Sequence, residues 1–179
     1  TRYIGDWSSD VCSSDLDSEP YALEVLAGVL SGSDASRLPS ALVRGQKVAI
    51  AAGASYENTQ RGPSLFMLNG VPNVGVTVAQ LEQALRAEIA KIVAEGVSEA
   101  ELKRVKTQVI ATQVYERDST FFQAMQIGAL ETAGYPFDSI ELMIRKLGEV
   151  TAEQVQAVAR KYLVDDQLTV AVLDPQPLP

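Results

Sequence analysis

The chain has 179 residues, an apolar fraction of 46% and a net charge of −8, which is the composition of a globular domain with room for one core. It contains no histidine and one cysteine, so it excludes Ser-His-Asp and Cys-His nucleophiles, a His-containing or Cys-only zinc site, and an internal disulfide. The acidic balance argues against a nucleic-acid partner, and no apolar run is long enough for a membrane span. From composition alone, we therefore expect this chain to be unable to carry out most enzyme chemistry by itself.

The first 16 residues show no helical or strand periodicity, and they carry the only Trp and the only Cys. The stretch DWSSDVCSSDL, residues 6–16, is similar to the translation of a common DNA-sequencing adapter, the alternative being a natural Ser/Asp-rich leader. We therefore expect residues 1–16 to be a non-native leader outside the fold, residues 17–175 to form the domain and residues 176–179 to be a tail. The native protein is then expected to begin upstream.

The next segments predict two helices and a strand pair. A helix begins at Asp17 or Ser18 and ends at Gly32, and a short helix covers residues 36–43. Alternation predicts a strand over residues 47–56, with one face made of small residues, and the strand returns over residues 63–69. In that strand Val48, Ile50, Ala52, Ala54 and Tyr56 are predicted to share a face.

Three capping boxes mark later helix starts, at Thr77–Gln80, Ser98–Glu101 and Thr151–Gln154. Helices are also predicted over residues 121–133 and 139–147, and the last strand over residues 167–173. This order predicts an α+β fold, a two-layer sandwich of a mixed or antiparallel sheet with helices on one face. Two or three strands are few for so many helices, which indicates a missing N-terminal strand.

Few residues are candidates for chemistry. The Gly/Ser-rich loop over residues 30–38 has the composition of an anion or peptide contact, but a helix connection capped by Ser33 or Asp34 is favoured. Acidic residues near helix ends, such as Glu101, are better explained by the helix macrodipole than by acid–base catalysis. Phe121, Phe122 and Met125 have helical spacing, and a packed core is favoured over a substrate lining.

Four segments in order carry a resemblance to a known family. They are YALEVLAGVLSGSDASRLPSALV, then KVAIAAGASYENTQRGPSLFML, then EGVSEAELKRVKTQV, and finally GEVTAEQVQAVARKYL with LTVAVLDP. Over residues 17–175 the chain resembles the second, non-catalytic domain of pitrilysin/insulinase zinc metallopeptidases. The bacterial branch related to mitochondrial processing peptidase is the most similar type.

The resemblance implies that zinc is held by a missing N-terminal domain with a His-x-x-Glu-His motif, and that this chain holds no cofactor. It implies that the parent protein is a zinc endopeptidase, that this fragment alone is inactive, and that its partners are that N-terminal domain and a peptide substrate. It favours the bacterial periplasm, with the cytoplasm as the alternative. Implied substrate contacts are Ser36, Arg37 and Arg44.

The family's substrate-binding Arg/Tyr pair falls on Val43 and Ile50, so the pair is absent here. A homologous subunit that carries the pair is therefore an expected further partner. Two other interpretations stay open. One is a non-enzymatic assembly subunit of the same fold, and the other is an unrelated helix-rich binding module whose late strand would not pair with the hairpin at residues 47–69.

Overall fold

The computed structural model describes residues 2–9, 18–60, 63–116 and 118–174. The four strands are β1 (Arg2–Ser9), β2 (Ala49–Tyr56), β3 (Ser64–Pro72) and β4 (Leu168–Leu173). The α-helices are α1 (Glu19–Ser31), α2 (Val78–Glu95), α3 (Glu99–Glu116), α4 (Thr120–Ala133), α5 (Ser139–Glu149) and α6 (Ala152–Tyr162). A π-helix covers Pro39–Gly45, and a short 3-10 helix, Asp165–Gln167, precedes β4.

The strands form one sheet in the order β2-β3-β1-β4, with every neighbouring pair antiparallel. Helices α1, α2 and α6 pack against this sheet. Fully buried side chains on the packed side include Leu23, Leu30, Phe66, Leu68 and Leu85. The predicted α+β class, with helices on one face of an antiparallel sheet, is confirmed.

The strand missing from the sequence prediction is supplied by the leader. The backbone of β1 pairs with both β3 and β4, for example with Gly5 between Leu68 and Val170. The expectation that residues 1–16 contribute nothing to the fold is therefore wrong for Arg2–Ser9. The facing edges of β3 and β4 carry backbone N–H and C=O groups, and an extended segment placed between them pairs with these groups whatever its side chains are. Pairing at this position therefore does not require a side-chain pattern. The adapter origin of these residues stays a prediction, and residues 10–16 lie outside the described residues.

Two local predictions differ from the structure. The short helix expected over residues 36–43 is observed as a π-helix shifted toward Gly45, closed by an N–H···O bond of 2.7 Å from Gln46 to Ala41. In β2 a bulge between Ala49 and Ala51 breaks the alternation. Ile50 is therefore 59% exposed instead of sharing a buried face with Ala52.

All three predicted capping boxes form. At the first, the Thr77 hydroxyl accepts the N–H of Gln80 while the Gln80 side chain accepts the N–H of Thr77, and Thr151 with Gln154 repeats the arrangement. Helix α1 lies very close to α3, because a Cβ on Gly28 would stand 2.5 Å from the Val105 side chain. Within the described ranges, no helix is both long and apolar enough to cross a membrane.

Candidate functional site

Ser36 lies in the loop after α1 and is completely buried. Its Oγ accepts the N–H of Ser33 at 3.0 Å and donates to the carbonyl of Gly28 at 3.1 Å. These bonds tie the loop back to the last turn of α1, as expected for a helix connection. The predicted cap by Ser33 or Asp34 is wrong, because the π-helix that follows has no side-chain cap. The connection is held instead by the bonds of the Ser36 hydroxyl back to Ser33 and Gly28.

Arg37 links the same loop to the start of α3. Its Nε and Nη2 donate to the two carboxylate oxygens of Glu101 at 2.9 and 3.0 Å, and Nη2 also donates to the carbonyl of Gly96 at 3.0 Å. The Glu101 carboxylate also accepts the N–H of Ser98, so it caps α3 as well. We call these groups, Arg37 with Glu101 and Gly96, the arginine clamp.

The clamp lowers the pKa of the Glu101 carboxylate. The hydrogen bond from Arg37 is the main cause that lowers the pKa of Glu101 to about 2, against the opposing effect of burial. A bidentate Arg–carboxylate pair is among the stronger polar contacts in proteins. Nε and Nη2 of Arg37 are therefore engaged inside the domain in this structure.

Arg44 is the exposed member of the predicted contact set. It lies in the last turn of the π-helix, and its guanidinium donates to the carbonyl of Asp34. Val43 beside it is half-buried against the core. Arg44 follows by one residue the position, Val43, at which the resemblance places the family's arginine. Because both residues lie in the π-helix, this step turns the side chain part of the way around a helix axis, whereas in a strand it would turn it to the opposite face. Contact of Ser36, Arg37 or Arg44 with substrate stays a prediction.

The face of the sheet opposite the helices is open. On β2 it presents the small residues Ala51 and Ser55, both exposed, with Gly53 between them. On β3 it presents Leu65, which is 41% exposed, and the half-buried Met67. The same face carries the half-buried Asn69, whose side chain lies beside Gly53. A partly exposed sheet face of mostly small and apolar side chains is suited to packing by another layer.

A second feature, which the sequence analysis did not identify, lies between α1, α4, α5 and the turn after β2. A cavity of about 230 Å³ is lined by apolar side chains, among them Leu130 and Met143, and by polar ones that include the Glu24 carboxylate. Burial is the main cause that raises the pKa of Glu24 to about 7, and the nearby Glu57 adds to it. A sequence signal existed, because Glu24 is the single charged residue between positions 20 and 30.

The aromatic cluster on α4 also differs from expectation. Phe121, Phe122 and Met125 are 67%, 47% and 55% exposed, so the prediction that they form a packed core is wrong. The two rings make an edge-to-face pair with centroids 5.8 Å apart. Helical spacing identified a common face, but only the tertiary structure shows that this part of α4 projects beyond the core.

In the part of the chain that the structure describes, no group of three or more Cys, His, Asp or Glu side chains could hold a metal ion. The full sequence lacks histidine altogether. The arrangement therefore offers a bonded arginine clamp, an open sheet face and an acidic cavity.

Comparison with known proteins gives one family match. The sequence profile described as "Peptidase M16 inactive domain" matches residues 7–109. No curated protein sequence matches the chain significantly.

Solved structures match the fold. A protease from Helicobacter pylori is 18% identical with a TM-score of 0.86, over 97% of this chain and 41% of that one. The inactive peptidase domain of a candidate zinc protease from Bordetella parapertussis is 18% identical with a TM-score of 0.81, over 100% of this chain and 95% of that one. A chain of Complex III2 from Candida albicans is 13% identical with a TM-score of 0.73, over 95% of this chain and 42% of that one. At these identities the similarity establishes the fold, and this chain spans less than half of the Helicobacter protein.

Proposed function

The chain belongs to the peptidase M16 inactive-domain family, and on that premise we propose that it is the non-catalytic C-terminal domain of a zinc-dependent endopeptidase. In this proposal it packs on a zinc-bearing N-terminal domain and closes the chamber in which peptides are cut. The lack of histidine agrees with a division of labour in which the metal belongs to the other domain.

The open face of the sheet is the observation that carries the proposal. Helices cover one side of β2 and β3, whereas Ala51, Ser55 and Leu65 on the other side are exposed. Small side chains on β2 let another layer approach the backbone closely. A second domain, or an extended peptide between the two domains, would bury this apolar surface and gain the associated free energy.

Among the predicted substrate contacts, the proposal retains Arg44. Its side chain is exposed, while Ser36 is buried and Arg37 is engaged in the arginine clamp. The missing Arg/Tyr pair would come from a homologous subunit. The compartment proposed from the resemblance is the bacterial periplasm, with the cytoplasm as the alternative.

Association with the zinc-bearing domain tests this proposal. The gene for that domain is sought in the same genome by its His-x-x-Glu-His motif, and binding to this chain is measured by titration calorimetry. Leu65→Asp, which places a charge on the open face, should weaken association at least about tenfold. The control Val74→Asp changes a residue that is 93% exposed in the turn after β3 and should bind as the unaltered chain does.

A genome without that motif, or an undiminished affinity of Leu65→Asp, would contradict the proposal. The second candidate function, a non-enzymatic assembly subunit, is favoured by the similarity to a chain of Complex III2. The two are distinguished by the paired domain. An intact zinc motif there supports the peptidase, and its loss supports the assembly role.

A further inference from the structure

We propose that the groove between α4 and α5 binds a polypeptide segment that inserts a lysine or arginine side chain toward Glu24. This groove, the α4–α5 groove, consists of the cavity of about 230 Å³ beside Glu24 and an outer cavity of about 460 Å³ that contains Phe137 and Asp138 in its lining. The two cavities share Gln126 and Ile140. The inference goes beyond the proposed function and does not depend on it.

The charges of the groove are of one sign. Glu24 and Glu57 line the inner cavity, Asp138 and Glu141 line the outer one, and neither lining includes a lysine or an arginine among the described residues. Carboxylates that line a cavity with no lysine or arginine in its described lining attract a positively charged group. Charge complementarity therefore selects a cationic occupant.

Glu24 is the carboxylate beside which the positive charge of the occupant would lie. One carboxylate oxygen accepts a hydrogen bond from the side-chain amide of Asn58, and no described lysine or arginine forms an ion pair with the carboxylate. An ionised carboxylate in an enclosed site is costly unless a cation compensates it. A guanidinium or ammonium group at this point would form a charge-assisted hydrogen bond.

The volume and the lining of the inner cavity fit an inserted side chain better than a larger ligand. The inner cavity is smaller than the roughly 300–1,000 Å³ typical of small-molecule pockets. Its walls include Leu130, Met143 and Leu147, which suit the aliphatic stem of lysine or arginine. The outer cavity, with Ile127 and Phe137 both exposed, has room for apolar residues flanking the inserted side chain.

Binding should depend on pH in a defined direction. The cavity that Glu24 lines also contains the phenol-bearing Tyr56 from the end of β2 and Glu57, Asn58 and Thr59 from the turn, while α4 and α5 line it with uncharged side chains. Since the pKa of Glu24 is raised to about 7, the carboxylate is mostly protonated at pH 6 and mostly ionised at pH 8. A cation that binds the ionised form should therefore bind about tenfold more tightly at pH 8.

The test is an amide-resolved NMR titration of the full chain with the tripeptide acetyl-Leu-Arg-Leu-amide, beside the same peptide with citrulline in place of arginine. The arginine peptide should shift the amides of Glu24, Asn58 and Leu130, and the uncharged citrulline peptide should bind at least about tenfold more weakly. Glu24→Gln should lose the preference, whereas Glu99→Gln, an exposed residue of α3, should keep it.

A steric variant provides a second line of evidence. Ala129 is exposed on α4 and lines the inner cavity, so Ala129→Trp should obstruct entry and abolish binding without altering the buried core. Equal binding of the two peptides, undiminished binding by Glu24→Gln or Ala129→Trp, or shifts confined to other parts of the chain would overturn the proposal. Binding of spermidine at these amides while the arginine peptide leaves them unmoved would overturn the assignment to a polypeptide.

Discussion

Glu101 in the arginine clamp and Glu24 in the α4–α5 groove are the same side chain in opposite surroundings. The Glu101 carboxylate accepts from a bidentate arginine and from the N–H and the hydroxyl of Ser98, and its pKa falls to about 2. Glu24 is enclosed beside a second carboxylate, and its pKa rises to about 7. The first carboxylate has its cation within the domain, whereas the second has none among the described residues.

The difference separates a structural site from a candidate binding site. A carboxylate that already pairs with an arginine inside the fold, as Glu101 does, has few hydrogen-bonding positions left for a ligand. The same pair holds the segment after α1 against the start of α3. A charge enclosed without compensation reduces stability and becomes favourable only when something supplies the partner. The sequence resemblance indicated Arg37 as a substrate contact, while the charge environment indicates Glu24 as the group that remains available.

The largest expected effect comes from breaking the clamp. Arg37→Met should lower the free energy of unfolding by about 2 to 3 kcal/mol, because the Glu101 carboxylate loses its cationic partner and keeps only the Ser98 donors, and the Gly96 carbonyl loses the Arg37 donor. Urea unfolding at pH 7 measures this value. Arg44→Met, seven residues later and exposed, should change it by less than about 0.5 kcal/mol.

The clamp also predicts a pH dependence. Because the folded-state pKa of Glu101 is lowered, its contribution is fully present above about pH 4.5 and is lost as the pH falls toward 2. Arg37→Met should flatten this part of the stability profile. Equal acid sensitivity of the two proteins would show that the clamp does not hold the carboxylate ionised.

Glu24 should show the opposite dependence. Its raised pKa means that the folded state binds the proton more tightly than the unfolded chain, so stability falls as the pH rises from about 4.5 to about 7. Glu24→Gln should remove this loss and be more stable than the unaltered chain by about 1 to 2 kcal/mol at pH 8. Thermal or urea unfolding at pH 5 and pH 8 measures the stability of both proteins. If the stability of Glu24→Gln changed with pH as much as that of the unaltered chain, Glu24 would not differ from Glu101 in the way described.

The smallest effect concerns the loop beside the clamp. Ser36→Ala removes the hydroxyl that joins Gly28 and Ser33 and should cost about 1 kcal/mol, because the Ser33 N–H loses its acceptor and the Gly28 carbonyl keeps only the N–H of Gly32. Ser40→Ala, at an exposed position nearby, should be close to neutral. If the two substitutions had equal effects in urea unfolding, the buried hydroxyl would not be holding the loop.

The sequence predicted what local rules determine. The three capping boxes formed because each depends on four consecutive residues, Thr77–Gln80 among them. The bulge at Ile50 was not predicted, because it depends on how β2 pairs with β3. Strand β1 was missed for the same reason, since its pairing uses backbone groups and carries no side-chain pattern.

The candidate site was less predictable than the fold. The resemblance located the Arg37 segment, but its partner Glu101 lies 64 positions away, and nothing local connects the two. Glu24 stood out in sequence as a lone charge within an apolar helix, which signals an enclosed carboxylate without saying what surrounds it. The apolar walls of its cavity come from α4 and α5, more than 100 residues further along the chain.

Peptide hydrolysis tests the assigned role most directly. A fluorogenic peptide is incubated with zinc and this chain alone, with the zinc-bearing domain alone, and with both together. We expect chelator-sensitive turnover in the mixture and none from this chain alone, because the chain supplies no histidine to hold the metal. Chelator-sensitive turnover by this chain alone, or equal activity of the zinc-bearing domain with and without it, would contradict the account.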